Sequence, residues 1–132
     1  MTRIDHVGIA TKSIDSALPF WKALGFKVSG GGIVKEQGVE VRYMQNMSDT
    51  RIELLEPTGS DTPVGRFIER RGEGIQQLAI SVPDIEETIE KLSKMGVIMI
   101  NSKPQIGHGG TRIAFVHPSS SGGVLIELVE SP

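Results

Sequence analysis

Apolar side chains recur at helical spacing in two stretches of the chain: Ile14, Ala17, Leu18, Trp21 and Leu24, then Ile85, Ile89, Leu92 and Met95. Steps of three and four residues put each set on one face of a helix, with polar residues opposite. Asp84 and Glu87 have capping-box spacing at the start of the second stripe, with Asp where Ser or Thr is usual. Gly25 and Gly96 stand where a helix end favours a left-handed residue. Pro19 is a local conflict, since a proline inside a helix removes a hydrogen bond and bends the axis.

Around these helices the period falls to two, which predicts strands. HVGIA precedes the first helix, and FKVSGGGIV, GVEVRYMQ and RIELLEP follow it. QLAIS precedes the second, and GVIMIN, TRIAFVHP and GVLIELVE follow it. Within the first of these runs, SGGG (29–32) reads as a loop between strands. The stretch PTGSDTPVGRFIERRGEG (57–74) contains a short helical segment and reads as a connector.

The two halves are versions of one unit. Residues 5–26 align without a gap on 76–97, at an offset of 71, so His6 falls on Gln77 and Ile9 on Ile80. Later, IELLE (52–56) matches IELVE (126–130) at an offset of 74. A repeat of this kind changes the fold expected. The class is α+β: two tandem βαβββ modules side by side, forming a curved sheet around a cleft. Module one covers about 1–57, the connector about 58–73 and module two about 74–132, within a single domain 1–132. The helices cover one sheet face, so the other needs a partner, and a shared cleft supplies it.

Composition narrows the function classes. The formal net charge is −2 with both signs mixed along 132 residues, so no basic patch points to nucleic acid or a membrane surface. Apolar runs such as GVIMI fall far short of the ~20 residues of a membrane span. The N-terminus has no signal-like region, and a soluble, cytoplasmic protein is expected. The absence of cysteine removes disulfides, thiolate zinc sites and Cys nucleophiles.

Strand alternation then sorts the polar side chains. Val7 and Ile9 share one face while His6, Gly8 and Ala10 share the other; Leu78 and Ile80 likewise oppose Gln77, Ala79 and Ser81. Ile52 and Leu54 oppose Glu53, and Ile126 and Leu128 oppose Glu127. Taken singly, each glutamate reads equally as a solvated edge residue, and His6 beside Asp5 as a hydrogen-bonded structural histidine. Matched positions in matched strands favour one shared cavity for His6, Glu53, Gln77 and Glu127. Two carboxylates in a partly dry cleft repel, and a divalent cation offsets that repulsion. One imidazole nitrogen and three oxygens suit Co²⁺, Mn²⁺, Ni²⁺ or Zn²⁺. GHGG (107–110) and SSSGG (119–123) lack a Walker ending and read as loops at the cleft mouth. His108 and His117 are assigned to loop and turn, not to the metal.

The segments IDHVGIATKSIDSAL, EQGVEV, IELLEPTGSDTPVGRFIERRGEGI, VPDIEETIEKL and AFVHPSSSGGVLIELVE cover nearly the whole chain in order. On these the chain resembles the vicinal oxygen chelate superfamily (glyoxalase/bleomycin resistance/dioxygenase), and within it the methylmalonyl-CoA epimerases. The resemblance implies the paired-module fold and a divalent metal held by one side chain from each of four strands. By motif position these are His6, Glu53, Gln77 and Glu127. It also implies a homodimer, an acyl-CoA substrate, and epimerisation by proton removal and return at C2 through a metal-stabilised enolate.

Two positions depart from the family. Epimerase-like sequences read G-[IL]-H-H where this chain has Gln76 and Gln77, and they carry Lys where it has Ser119. A Gln oxygen still coordinates a divalent ion, more weakly than imidazole. Glu127 is the leading candidate for one general base. The second base stays open among Glu53, a water on the metal, and Glu40. Some relatives carry a third-strand glutamate where this chain has Val41, and only a one-residue bulge would turn Glu40 inward. Two rivals share the fold: a glyoxalase I-like isomerase acting on a glutathione hemithioacetal, and a non-catalytic binder of small ligands.

Overall fold

The computed structural model describes residues 1–132. It divides into two compact units, His6–Gln76 and Gln77–Pro132, the latter counted with Met1–Asp5. The elements of the first run β1 (Arg3–Ala10), α1 (Ile14–Ala23), β2 (Lys27–Val34), β3 (Val39–Gln45), β4 (Arg51–Pro57) and α2 (Pro63–Arg71). Those of the second run β5 (Gly74–Ser81), α3 (Ile85–Lys94), β6 (Gln105–Ile106), β7 (Arg112–Val116) and β8 (Ile126–Glu130). Both follow the βαβββ order. The strand orders correspond as well, β2-β3-β4-β1 in one unit and β6-β7-β8-β5 in the other. In each, the first strand pairs in parallel with the last and the remaining pairs are antiparallel.

Both repeat helices begin in the same way. Ser13 caps α1 by accepting from the Ser16 N–H at 3.2 Å, and Asp84 caps α3 by accepting from the Glu87 N–H at 3.0 Å. A second acceptor comes from the neighbouring strand: Glu56 takes the Ile14 N–H and Glu130 takes the Ile85 N–H, each at 2.8 Å. A helix starts with four N–H groups that have no intrahelical partner. A carboxylate there satisfies one of them and also sits at the positive end of the helix dipole. The closing glutamate of IELLE and IELVE therefore anchors a helix.

The helices end alike too. Gly25 (φ 103°) and Gly96 (φ 87°) let the chain reverse, and the N–H groups of Phe26 and Val97 reach back to the carbonyls of Trp21 and Leu92. Pro19 lies inside α1 on its exposed side. The helix runs through it because only the carbonyl of exposed Asp15 loses its partner, while the apolar stripe packs on buried Met44 and Leu54.

Three elements differ from the sequence expectation. Gly30, Gly31 and Gly32 belong to β2, paired with Tyr43, Arg42 and Val41, after a register shift at Val28/Gly30. A Cβ on Gly31 would meet the Val41 carbonyl oxygen at 2.3 Å, so the glycine run permits close pairing that any side chain would block. The GVIMIN segment forms only a single bridge, Met99 to Val116, and regular pairing resumes at the two-residue β6. There the Asn101 side chain accepts the Phe115 N–H at 2.9 Å and takes the place of a ladder carbonyl. Finally, α2 is more than a connector. Val64, Phe67 and Ile68 pack on Ala10, Val39, Val41 and Leu55, so part of the second sheet face in the first unit is covered by a helix.

The cores follow the alternation. Ile14, Met44 and Leu54 centre the α1 side of the first unit, and Ile85, Ile89 and Leu128 the α3 side of the second. No helix is long and apolar enough to cross a membrane.

Candidate functional site

In the first unit β1 and β4 run in parallel with His6 opposite Arg51 and Gly8 opposite Glu53. Ile9, Ile52 and Leu54 turn toward α1, so His6 and Glu53 occupy the other face. Gly8 has no side chain to compete with Glu53 for space. His6 Nδ1 lies 3.1 Å from Glu53 Oε2, both side chains being buried. The same oxygen accepts from Arg51 Nη2 at 3.0 Å and from Arg51 Nε at 3.2 Å. Tyr43 pairs with Glu53 from β3, and the Arg51 guanidinium lies over its ring, 5.0 Å from the centroid.

The second unit repeats this relation with different chemistry. Ala79 of β5 stands opposite Glu127 of β8, as Gly8 stands opposite Glu53. Gln77 Nε2 donates to Glu127 Oε1 at 2.9 Å, and both residues are buried. The donor is now a neutral amide.

Each unit thus brings together its two site residues from the sequence reading, His6 with Glu53 and Gln77 with Glu127. A further residue joins the first pair. Asp5, His6 and Glu53 are all buried and their ligand atoms lie within 4.8 Å of one another. Alternation argues against Asp5, since it points away from His6 on a flat strand. The only hint in the sequence is its adjacency to His6 in the Asp5–His6 pair.

The remaining candidates lie elsewhere. β3 pairs with β4 in unbroken register from Val39 to Met44, so no bulge turns Glu40. Val41 is buried against Leu55 and Val64, and Glu40 sits on the opposite face bonded to Arg42 at 3.0 Å. Glu40 is therefore not a base on the His6–Glu53 face. Ser119 is exposed in a turn, its hydroxyl 2.8 Å from His117 Nδ1. His108 lies in the turn 108–110.

The donors fit a divalent ion. Two ligand atoms ~2.1 Å from one ion at ~90–110° lie ~3.0–3.4 Å apart. The 3.1 Å between His6 Nδ1 and Glu53 Oε2 serves both a hydrogen bond and that spacing. Imidazole with carboxylates, as in Asp5, His6 and Glu53, forms a borderline-to-hard set suited to a divalent ion. Buried carboxylates are costly without a compensating cation.

The profile of the Glyoxalase/Bleomycin resistance protein/Dioxygenase superfamily matches residues 5–115. The mitochondrial methylmalonyl-CoA epimerase of Homo sapiens is 34% identical over 98% of this chain and 74% of its own length. The chain belongs to that superfamily, in its methylmalonyl-CoA epimerase branch. Among solved structures, a Bacillus halodurans protein superimposes with a TM-score of 0.95 at 42% identity, covering 99% of this chain and 95% of that one. A methylmalonyl-CoA epimerase in complex with methylmalonyl-CoA and NH4+ gives 0.93 at 36% identity, with coverage of 99% and 95%.

Proposed function

We propose that this chain epimerises methylmalonyl-CoA at C2, with His6, Glu53, Gln77 and Glu127 holding one divalent ion, Co²⁺, Mn²⁺, Ni²⁺ or Zn²⁺. One observation carries the reading: a buried carboxylate with a buried donor partner occurs twice, at the same strand register, in a chain whose relatives are epimerases. When bound, such an ion supplies Lewis-acid stabilisation of the charge that grows on the thioester oxygen as C2 loses its proton. Epimerisation then requires that the proton leave one face of C2 and return on the other.

Glu127 is suited to proton transfer. Its carboxylate is buried, and its Oε1 is oriented by the neutral amide of Gln77. A positioned base of this kind contributes ~10²–10⁴-fold. Glu53 Oε2 is engaged by His6 and by the Arg51 guanidinium, which suits holding the ion over shuttling a proton. The same reading extends to a cytoplasmic homodimer, which sedimentation of the purified protein checks.

The test is deuterium wash-in at C2 of methylmalonyl-CoA in D₂O, with Co²⁺-loaded protein beside chelator-stripped protein and a protein-free blank. Exchange fast only in the loaded sample is expected. Exchange no faster than the blank in the loaded sample refutes the epimerase reading.

A further inference from the structure

Resting on the function proposed above, we infer that Phe115 and Ile100 receive the alkyl group on C2 of the substrate, so that the protein takes 2-alkylmalonyl thioesters longer than methyl. Phe115 of β7 stands directly opposite Glu127 of β8, and Glu127 stands opposite Ala79 of β5. On the other side of Phe115 runs the segment 97–101. The Ile100 N–H donates to the Phe115 carbonyl at 2.8 Å, and the His117 N–H donates to the Ile98 carbonyl at 2.9 Å. Asn101 ties this segment to β7 by accepting the Phe115 N–H at 2.9 Å.

Alternation then sorts the faces. Val97 and Met99 pack with Ala114 and Val116 on the α3 side, so Ile98 and Ile100 turn the other way. That is the face of Glu127 and of Phe115, whose ring packs on Ala79, Ile113 and Val129. One row of the second unit therefore runs from buried Glu127 through half-buried Phe115 to Ile100, which is 52% exposed. A single exposed isoleucine is ordinary. Here Ile98 and Ile100 are both exposed on one face, beside an aromatic ring that borders the proposed base.

Chemistry selects the occupant. Besides the exchanging proton, C2 carries a thioester, a carboxylate and an alkyl group. A base oxygen comes within ~3–3.5 Å of the atom it reacts with. Side chains directly opposite in an antiparallel pair have Cβ atoms ~4.5–5.5 Å apart. A group attached to C2 is thus within reach of the Phe115 ring. Neither Phe115 nor Ile100 has a side-chain donor, so a carboxylate or thioester oxygen laid on them would lose hydration without replacement. An alkyl group gains by the same contact. The row grows more exposed away from Glu127, and a longer alkyl chain follows it outward to cover Ile100.

The experiment is calorimetric binding of methyl-, ethyl- and propylmalonyl-CoA to Co²⁺-saturated protein, with C2 deuterium exchange followed on the same samples. In wild type Kd should tighten by about 2- to 4-fold per methylene, the upper figure being one CH₂ fully removed from water. Ile100→Asn should shrink the methyl-to-propyl span by about threefold or more. Ile106→Asn is the control, since Ile106 is exposed but pairs with Arg112 and so lies on the α3 side; it should keep the wild-type span. Phe115→Ala should flatten the span further, and Ile100→Asn carries the test if that variant does not fold. A span is a ratio within one preparation, so partial loss of folded or loaded protein cancels. A wild type whose Kd is flat or weakens from methyl to propyl overturns the inference and leaves the proposed function standing. An Ile100→Asn variant with the wild-type span does the same. A wild type that exchanges none of the three thioesters overturns the proposed function and the inference with it.

Discussion

The two glutamates of each IEL-x-E strand should fail in opposite ways when substituted. Glu56 and Glu130 each accept a helix-starting N–H at 2.8 Å, and neither touches the buried pair of its unit. A hydrogen bond to a charged group contributes ~1.5–3 kcal/mol when well shielded, and both carboxylates are only partly buried. Removing either with Glu56→Ala or Glu130→Ala should therefore cost about 1–2 kcal/mol, including the lost dipole interaction. For a chain of this length that lowers Tm by roughly 3–8 °C. Glu130 also holds Arg112 Nη1 at 3.1 Å, so its loss should be the larger of the two. Glu53→Gln and Glu127→Gln should behave differently. Glu127→Gln removes a buried charge held by a neutral amide, so its stability should hold or rise, whereas Glu53→Gln also breaks the pair with Arg51 and should lower it. Cobalt affinity should fall in both, and kcat in Glu127→Gln should drop by about 10²–10⁴-fold. Urea denaturation, cobalt titration and the C2 exchange assay on the four variants separate the roles. If Glu56→Ala loses less than about 0.5 kcal/mol, the carboxylate does not stabilise the helix start and the reasoning is wrong. If Glu127→Gln keeps wild-type kcat, the assignment of the base is wrong.

Three further outcomes are expected. Gln77→His should tighten Co²⁺ and Zn²⁺ binding by roughly tenfold or more, because imidazole is the better ligand for both, as competition against a chelating dye will show. Val41→Glu should destabilise the chain by about 2–5 kcal/mol, since its carboxylate would enter the apolar layer of Leu55 and Val64; a urea midpoint unchanged from wild type refutes the burial argument. The N–H of Lys12, helped by the Thr11 hydroxyl, holds the Glu73 carboxyl below the usual range. A depressed carboxylate contributes stability present above its unfolded pKa and lost as pH falls through its folded one. The gap in Tm between wild type and Glu73→Gln should therefore be larger at neutral pH than in acid, and a gap independent of pH counts against the contact.

Alternation and repeat made much of this legible from the sequence. His6, Glu53, Gln77 and Glu127 were found as matched positions, and the structure pairs them within their units because a parallel β1–β4 or β5–β8 register sets each carboxylate beside a small residue. The capping glutamates leave the same trace: Glu56 shares the face of Ile52 and Leu54, hence the face α1 packs on. The broken GVIMIN strand was not legible, because a side-chain amide standing in for a ladder carbonyl leaves no periodic trace. The packing of α2 was hidden for a related reason. Three apolar residues in a polar helix mark a buried side but not which sheet it covers.

Arg51 is the more instructive omission. Single-strand alternation put it on the face of Glu53, yet a charged residue at a strand start reads as solvated until its neighbours are known. Register is what changes its meaning. Beside His6 and over Tyr43, it makes the first unit's pair a cation-supported one, while Gln77 gives Glu127 only a neutral donor. The repeat has thus diverged in charge while conserving geometry. That asymmetry is what favours Glu127 over Glu53 as the proposed base, since a symmetric pair of sites would give no reason to choose between them.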